Sequence, residues 1–325
     1  MKHITTTLCL LSGFLAGIVS FSPGAALADY PEKTVTIFCG FAPGGAQDMT
    51  SRTMAEAVKK YFPKPMVVVN RPGATGTISA SEVFKAKPDG YTIGITATTV
   101  LTLQPYRIKL SYSGPEDFTP IIKLADNPNL LAVKNDAPWK TIQEFIAACQ
   151  ANPGKFRVGN SGLASELHLC AEQLKMMAKA DFTSVPFSGS GESVPALLGG
   201  HIDAVSTHPN DIIGLVSAGK VRVLLVFEEK RNPLFPDAPA SSELGYDIGN
   251  PVTYMFIGPK GLPSKIVTVL HDAFRKGMQD PVFEKPIQKH GFVLAYEGPE
   301  DLMKRLVKEN DRNKKLVDLL NLRGK

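Results

Sequence analysis

From Thr34 onward, short apolar runs alternate with amphipathic segments, and this alternation constrains the fold more than any other feature of the chain. Val35-Thr36-Ile37-Phe38-Cys39 reads as a buried strand. Residues 48–61 follow as a helix, with Met54, Ala55, Val58 and Tyr61 at helical spacing. Met66-Val67-Val68-Val69 is a second strand, residues 76–86 a second helix ended by Pro88-Asp89-Gly90, and residues 91–95 a third strand. Strands that alternate with helices predict an α/β fold with a mainly parallel sheet covered on both faces.

A second set begins near Asn127. Strands are expected at 130–133, 156–159, 182–185, 202–205 and 221–227, and helices at 165–178, 193–198 and 212–218. Thr141 with Glu144 three residues on is a capping-box pattern that opens a further helix. The pattern changes again near Pro251, with a strand at 254–257, a long helix after Pro263 and a last amphipathic helix over 299–320. Two α/β sets and a closing C-terminal segment fit two lobes around a cleft. The expected division places residues 29–126 and 254–325 in one lobe and 127–253 in the other. The 325 residues suffice for two such lobes.

The first 28 residues stand apart. Lys2 and His3 precede a nearly uncharged apolar run from Leu8 to Phe21, and Ala26-Leu27-Ala28 has the small-x-small pattern of a cleavage site. This reads as a secretory signal removed after Ala28. The run is shorter than the ~20 residues that span a bilayer, which disfavours a membrane anchor. The remaining chain carries 35 Lys and Arg against 31 Asp and Glu, a net charge of +4. That balance suits anionic ligands, and no basic stripe with interleaved aromatics points to nucleic acid. Cys39, Cys149 and Cys170 remain after cleavage, an odd number, and export leaves a Cys149–Cys170 disulfide open.

In open α/β sheets, ligands bind beyond the carboxyl ends of the strands, so the strand-to-helix loops are the places to search. The first is Phe41-Ala42-Pro43-Gly44-Gly45-Ala46-Gln47-Asp48. Adjacent glycines let the backbone approach a ligand, and the helix start behind them offers free N–H groups and a positive dipole end. The loop is therefore either an anion site or simply a tight turn. Asp48 has three roles open to it: helix cap, partner of Arg52 four residues on, or contact to a ligand donor. The second loop, 70–77, offers Thr75 and Gly76, while Arg71 reads better as a structural partner for an acid. Thr98 follows the third strand. In the other lobe, Ser161 and Gly162, then Ser188 and Gly189, then Thr207, end strands and precede helices. His168 lies just beyond one of these loops, as a cleft donor or a buried histidine.

Signals for chemistry are missing or false. Gly214 to Lys220 imitates a Walker loop, but Val221 stands where Ser or Thr is required. Ser188-Gly189-Ser190-Gly191 lacks the first glycine of a nucleophile elbow. His168, His201, His208, His271 and His290 show no zinc pairing. The expectation is a protein without catalysis, metal or cofactor.

At this point the loops resemble a family. Asp29-Tyr30-Pro31-Glu32-Lys33, then Phe41-Ala42-Pro43-Gly44-Gly45 with Asp48 and Arg52, is similar to the substrate-binding receptors of tripartite tricarboxylate transporters, the Bug family. Residues 67–76, Pro88-Asp89-Gly90-Tyr91-Thr92, Val185-Pro186-Phe187-Ser188-Gly189, residues 197–203 and residues 258–263 extend the resemblance over nearly all of the exported chain. It implies a type II periplasmic-binding-protein fold that closes on a small carboxylate and delivers it to a membrane permease. It also implies that Phe41, Ala42, Gly44, Gly45 and Asp48 meet the ligand from one side and Ser161, Ser188 and Gly189 from the other. Cys39-Gly40 and the bulky Ser161-Gly162-Leu163-Ala164 depart from the usual pattern, the latter in favour of a more apolar pocket. The expectation is a monomeric periplasmic receptor. The alternatives are a carboxylate sensor that serves a membrane signalling protein and an exported hydrolase.

Overall fold

A computed structural model describes residues 30–187, 189–248 and 251–324; the signal segment and Ser188 lie outside the described residues. Its strands are β1 (Val35–Cys39), β2 (Met66–Asn70), β3 (Thr92–Ala97), β4 (Phe118–Asn127), β5 (Leu130–Lys134), β6 (Arg157–Asn160), β7 (Thr183–Pro186), β8 (Ala204–Thr207), β9 (Val221–Val226), β10 (Val252–Pro259) and β11 (Val293–Glu297). The helices are α1 (Ala46–Ala57), α2 (Thr77–Lys85), α3 (Thr98–Thr102), α4 (Gln104–Arg107), α5 (Ile142–Ala151), α6 (Glu166–Met177), α7 (Ser190–Leu198), α8 (Pro209–Ser217), α9 (Ser264–Met278), α10 (Pro281–Lys289) and α11 (Pro299–Leu319).

Two sheets form, in the orders β11-β4-β10-β3-β1-β2 and β7-β6-β8-β5-β9. Neither is mainly parallel, which corrects the sequence expectation. Each has three parallel strands (β2-β1-β3 and β7-β6-β8) followed by an antiparallel neighbour, β10 or β5. The antiparallel strands carry the chain between lobes. β4 runs out of the first sheet and, after Pro128 and Asn129 alone, becomes β5 of the second. β10 returns from the second lobe and pairs with β4 from Val252↔Asn127 to Pro259↔Phe118.

Residue pattern decides each lobe's core. β1 alternates buried and half-buried positions, with Val35, Ile37 and Cys39 fully inside the first-lobe core beside Met54, Phe256 and Phe274. β5 is buried on both faces: Leu131 and Val133 enter one second-lobe core, and Leu130 and Ala132 enter the other. The capping box at α5 forms as its spacing predicts, with Glu144 N–H donating to Thr141 Oγ1 at 3.2 Å. α8 ends at Gly219, whose φ of +64° turns the chain as a helix-terminating glycine does.

Cys39, Cys149 and Cys170 are free and buried, so the disulfide left open by the sequence is not formed. Cys149 and Cys170 both sit as small apolar groups in one second-lobe core. α11 lays Leu302 and Leu306 on the first-lobe core. Its far end brings Val317 to Leu103 and to Ala164 and Leu169 of the second lobe. Truncating fully buried Leu306 to Ala should cost about 2–5 kcal/mol and shift the urea midpoint down. An unchanged midpoint would show that α11 does not dock as described.

Candidate functional site

The first loop is held from beneath by a buried polar clamp. Asp48 is only 3 % exposed. It accepts from the Gly44 N–H at 3.0 Å, from Arg52 Nε at 3.0 Å and from Asn70 Nδ2 at 2.7 Å. Asn70 also donates to the Phe41 carbonyl at 2.9 Å and accepts from Arg52 Nη2 at 2.8 Å. β1 and β2 are parallel with Cys39 opposite Asn70, which sets the amide beside the loop. Asn70 went unnoticed in the sequence; its signal was a lone polar residue at the carboxyl end of an apolar strand. α1 starts earlier than expected, at Ala46, so Asp48 lies in its first turn and is not its cap. The N-cap is Gly45, and no side chain caps the helix. The first-turn N–H groups thus have no side-chain acceptor, while the acid next to them is turned away and neutralised.

Burial pushes the Asp48 carboxyl up, but Arg52, the Gly44 N–H and Asn70 outweigh it and hold the group below the usual aspartate range. Gly44 has φ +84°, the left-handed conformation that lets its N–H point back at Asp48. Gln47 is also buried, and its Oε1 accepts from the Gly40 N–H at 2.9 Å.

The second loop meets the first backbone to backbone. A Cβ on Gly40 would stand 2.7 Å from Gly76 Cα, so neither loop retreats to admit a side chain there. Ala74 and exposed Thr75 are consecutive non-glycine residues with positive φ, 44° and 55°, a strain that collects at sites. Phe41 and Val100 both reach the Gly76 Cα, at 3.2 and 3.3 Å from where its Cβ would lie. Arg71 pairs with Glu82 at 3.2 Å and lies over the Phe38 ring, the structural role its sequence position suggested. Thr98 is buried, and its hydroxyl is engaged with the Thr253 backbone of β10, accepting from its N–H at 3.3 Å. It ties the end of β3 to the returning strand.

In the second lobe, fully buried Asn160 organises the next two loops. Its Oδ1 accepts from the Gly162 N–H at 3.1 Å and its C=O from the Phe187 N–H at 3.0 Å. Ser161 and Gly162 are half-buried at the loop surface, and Leu163 is exposed. Ser165 caps α6 through the His168 N–H at 3.1 Å. Buried His168 in turn accepts the Ala164 N–H on Nδ1 at 3.1 Å, which assigns the proton to Nε2. Gly189 is the N-cap of α7, again without a side-chain cap. Ser193, fully buried in the first turns of α7, has a hydroxyl without a hydrogen-bond partner. Thr207 is buried and donates to Asp211 Oδ2 at 3.0 Å, so it serves the start of α8.

The structure therefore brings Phe41, Gly44, Gly45 and Thr75 to one lobe's loop surface, with Gly76 buried beneath Phe41, and Ser161, Gly162 and Gly189 to the other's. It turns Asp48, Thr98 and Thr207 inward. Ala42 lies exposed in the first loop, with its carbonyl accepting from the Gly45 N–H at 3.3 Å. Among the described residues, no group of three or more His, Cys, Asp or Glu side chains is placed to hold a metal. No described helix is long and apolar enough to cross a membrane.

Two lobes joined by crossing strands, with uncapped helix starts in the loops, define a solute-binding receptor of the periplasmic-binding-protein class. Comparison gives the family. A family model described as the tripartite tricarboxylate transporter family receptor matches residues 50–322, beginning just after the first loop. A Cupriavidus necator protein, "UPF0065 protein in gbd 5'region", is 35 % identical over 92 % of this chain and 91 % of its own. The crystal structure of a TctC solute-binding protein from Polaromonas superposes with a TM-score of 0.80 at 32 % identity, covering 89 % of this chain and 99 % of that one. A Rhodopseudomonas palustris structure with adipate reaches 0.77 at 28 %, over 89 % and 98 %. The chain belongs to the tripartite tricarboxylate transporter receptor family.

Replacing Asp48 with Ala should cost about 1–3 kcal/mol, since it strands a charged donor that is only half exposed. The depressed carboxyl contributes fully above its unfolded value near ~3.9 and loses that contribution as pH falls further. An acid-unfolding curve unchanged in the variant would remove Asp48 from the clamp.

His168 and His208 are both held below the ordinary histidine range, chiefly by burial, against the pull of Glu172 and Asp211 respectively. The unfolded chain then binds more protons, so stability should decline as pH falls through ~6.5. His168→Gln should flatten part of that decline in urea titrations between pH 7.5 and 5.5. An unaltered slope would contradict the assigned neutral state.

Proposed function

We propose that this chain captures a small organic carboxylate in the periplasm and passes it to the membrane permease of a tripartite transporter. The observation that carries this is the uncapped start of α1 behind Gly44-Gly45, with the one nearby acid locked to Arg52 and Asn70. Backbone N–H groups at a helix start favour a carboxylate oxygen, and a bare acid beside them would repel it. The adipate bound to the R. palustris relative supports the same ligand chemistry. In this reading Gly44, Gly45 and Phe41 meet the ligand from one lobe and Ser161, Gly162, Ser188 and Gly189 from the other. Asp48, Thr98 and Thr207 position loops.

The reading includes export with cleavage after Ala28, a monomer, no catalysis and no nucleic-acid partner. It divides the lobes into 29–126 with 254–325, and 127–253. The β4–β5 and β9–β10 crossings then act as the hinge.

Thermal shift against a panel of mono-, di- and tricarboxylates tests it. A ligand at ~100 times its Kd should stabilise by ~2.7 kcal/mol. Gly45 has ordinary φ and only the Ala42 carbonyl, at 3.4 Å, near its missing Cβ, so Gly45→Val should fold. It should also lose binding at least tenfold by calorimetry. Retained affinity would take the loop out of the site, and no response to any carboxylate would defeat the reading.

A further inference from the structure

α10 ends on a glycine that does more than stop a helix. Gly291 has φ +80°, the left-handed turn expected just past a helix end, and its N–H donates to the Gln288 carbonyl at 2.9 Å. Gly200 and Gly219, which follow α7 and α8, also have positive φ, and nothing lies within 4 Å of where their Cβ would stand. At Gly291 that Cβ would lie 2.5 Å from Pro209 Cβ, 3.5 Å from Leu234 Cδ1 and 3.6 Å from the Asn210 nitrogen. Gly291 sits between α10 and β11, on the first sheet's side of the molecule. Pro209 and Asn210 open α8, and Leu234 lies beyond β9, on the second sheet's side. The missing side chain is therefore what lets the two lobes touch here.

Neither surface is free to yield. Phe292 is buried in the first-lobe core, its ring 5.6 Å from that of Tyr254 in β10, and its N–H donates to the Ile287 carbonyl at 3.2 Å. Pro209 is buried at the first position of α8, where its ring leaves Cβ no rotamer in which to escape. Its neighbours are tied down as well. His208 Nδ1–H donates to the Pro128 carbonyl at 3.0 Å, and Asn210 Oδ1 accepts from Asn127 Nδ2 at 3.2 Å. Asn127 ends β4 and Pro128 lies in the β4–β5 crossing, so the contact stands beside one of the two strands that join the lobes. α8 follows β8 and its last residue, Thr207, with only His208 between. A contact this close to a crossing moves little itself and sets a large angle further out, because packed interfaces amplify small shifts.

We infer that the turn at Gly291 is a stop on which the second lobe seats, and that Gly291 is a positioning residue whose missing side chain sets the angle at which the lobes meet. Its effect on the ligand rests on the carboxylate-receptor reading; the stop itself does not.

Electron–electron resonance between spin labels on Val67→Cys and Met177→Cys, exposed positions on opposite lobes, reads that angle; Cys39, Cys149 and Cys170 are fully buried and escape labelling. Gly291→Ala should displace the mean label distance by about 2 Å or more. Gly261→Ala is the control: it has φ +79° and nothing within 4 Å, so it carries the same backbone strain without the contact and should leave the distance in place. An unmoved distance in Gly291→Ala, or an equal shift in Gly261→Ala, overturns the stop. Pro209→Gly removes the opposing Cβ and, combined with Gly291→Ala, should restore the original distance; no restoration overturns the stop as well. If Gly291→Ala does not fold, Pro209→Gly alone decides: it should broaden the distance distribution as the seat loosens, and an unchanged distribution overturns the inference. Calorimetry with adipate, citrate and benzoate reads the effect on the site. Gly291→Ala should weaken whichever binds at least tenfold, and Gly261→Ala should not. Equal affinity in both variants overturns the positioning role. Failure of all three to bind the unsubstituted chain counts against the carboxylate reading and leaves the stop to be judged by the labels.

Discussion

The antiparallel pairing of β4 with β10 is the constraint on which the rest of the molecule depends. It joins the strand that leaves the first lobe to the strand that re-enters it, over a ladder from Val252↔Asn127 to Pro259↔Phe118. Because only Pro128 and Asn129 separate β4 from β5, the second sheet is built directly on the end of the first. The loops that follow parallel strands then cluster at the carboxyl ends of both sheets, where open α/β folds hold their ligands. Thr98 adds to this arrangement by bonding its hydroxyl to the Thr253 backbone, so the third loop is anchored to the returning strand itself.

The site shows the same economy. A helix start attracts an anion only if nearby acids are neutralised, and Asp48 lies within the first turn of α1. Three donors from three parts of the chain, Gly44, Arg52 and Asn70, occupy its oxygens. A carboxylate so placed stiffens the loop without opposing a ligand. Asn160 does the corresponding work in the second lobe with neutral groups, accepting from the Gly162 and Phe187 backbones at once.

Much of this was legible in the sequence because it follows from local pattern. The β1 and β2 runs, the Thr141 capping box and the glycine end of α8 all rest on residue types whose preference their position meets. β4 was not legible: Pro120, Lys123 and Asp126 break up an apolar run that is nevertheless almost wholly buried. Lys123 is tolerated there because Asp126 at 2.9 Å and Glu297 at 3.1 Å satisfy it, and Glu297 lies 174 residues away in β11. β11 is a short, partly exposed edge strand with little pattern to read. The hydroxyls of Thr98 and Thr207 looked like donors to a ligand because a strand-end threonine is equally suited to bind a backbone or a cap. Only tertiary placement decides between them.

The contacts between the lobes are mixed in physical character. Leu103, Ala164, Leu169, Val317 and Leu322 form an apolar cluster that draws on both lobes. A cavity of about 360 Å³ is lined by Lys123, Asp126, Arg305 and Glu309 of the first sheet's surroundings and by Glu228, Glu229 and Lys230 just beyond β9. Burial, with Asp126 adding to it and Lys123 opposing it, lifts the Glu228 carboxyl to about 8. At neutral pH that group is largely protonated, so Glu228 itself adds little charge beside Lys123 and Asp126. An ionised Glu228 would sit beside Asp126, and Lys123, already shared between Asp126 and Glu297, offsets that charge only in part.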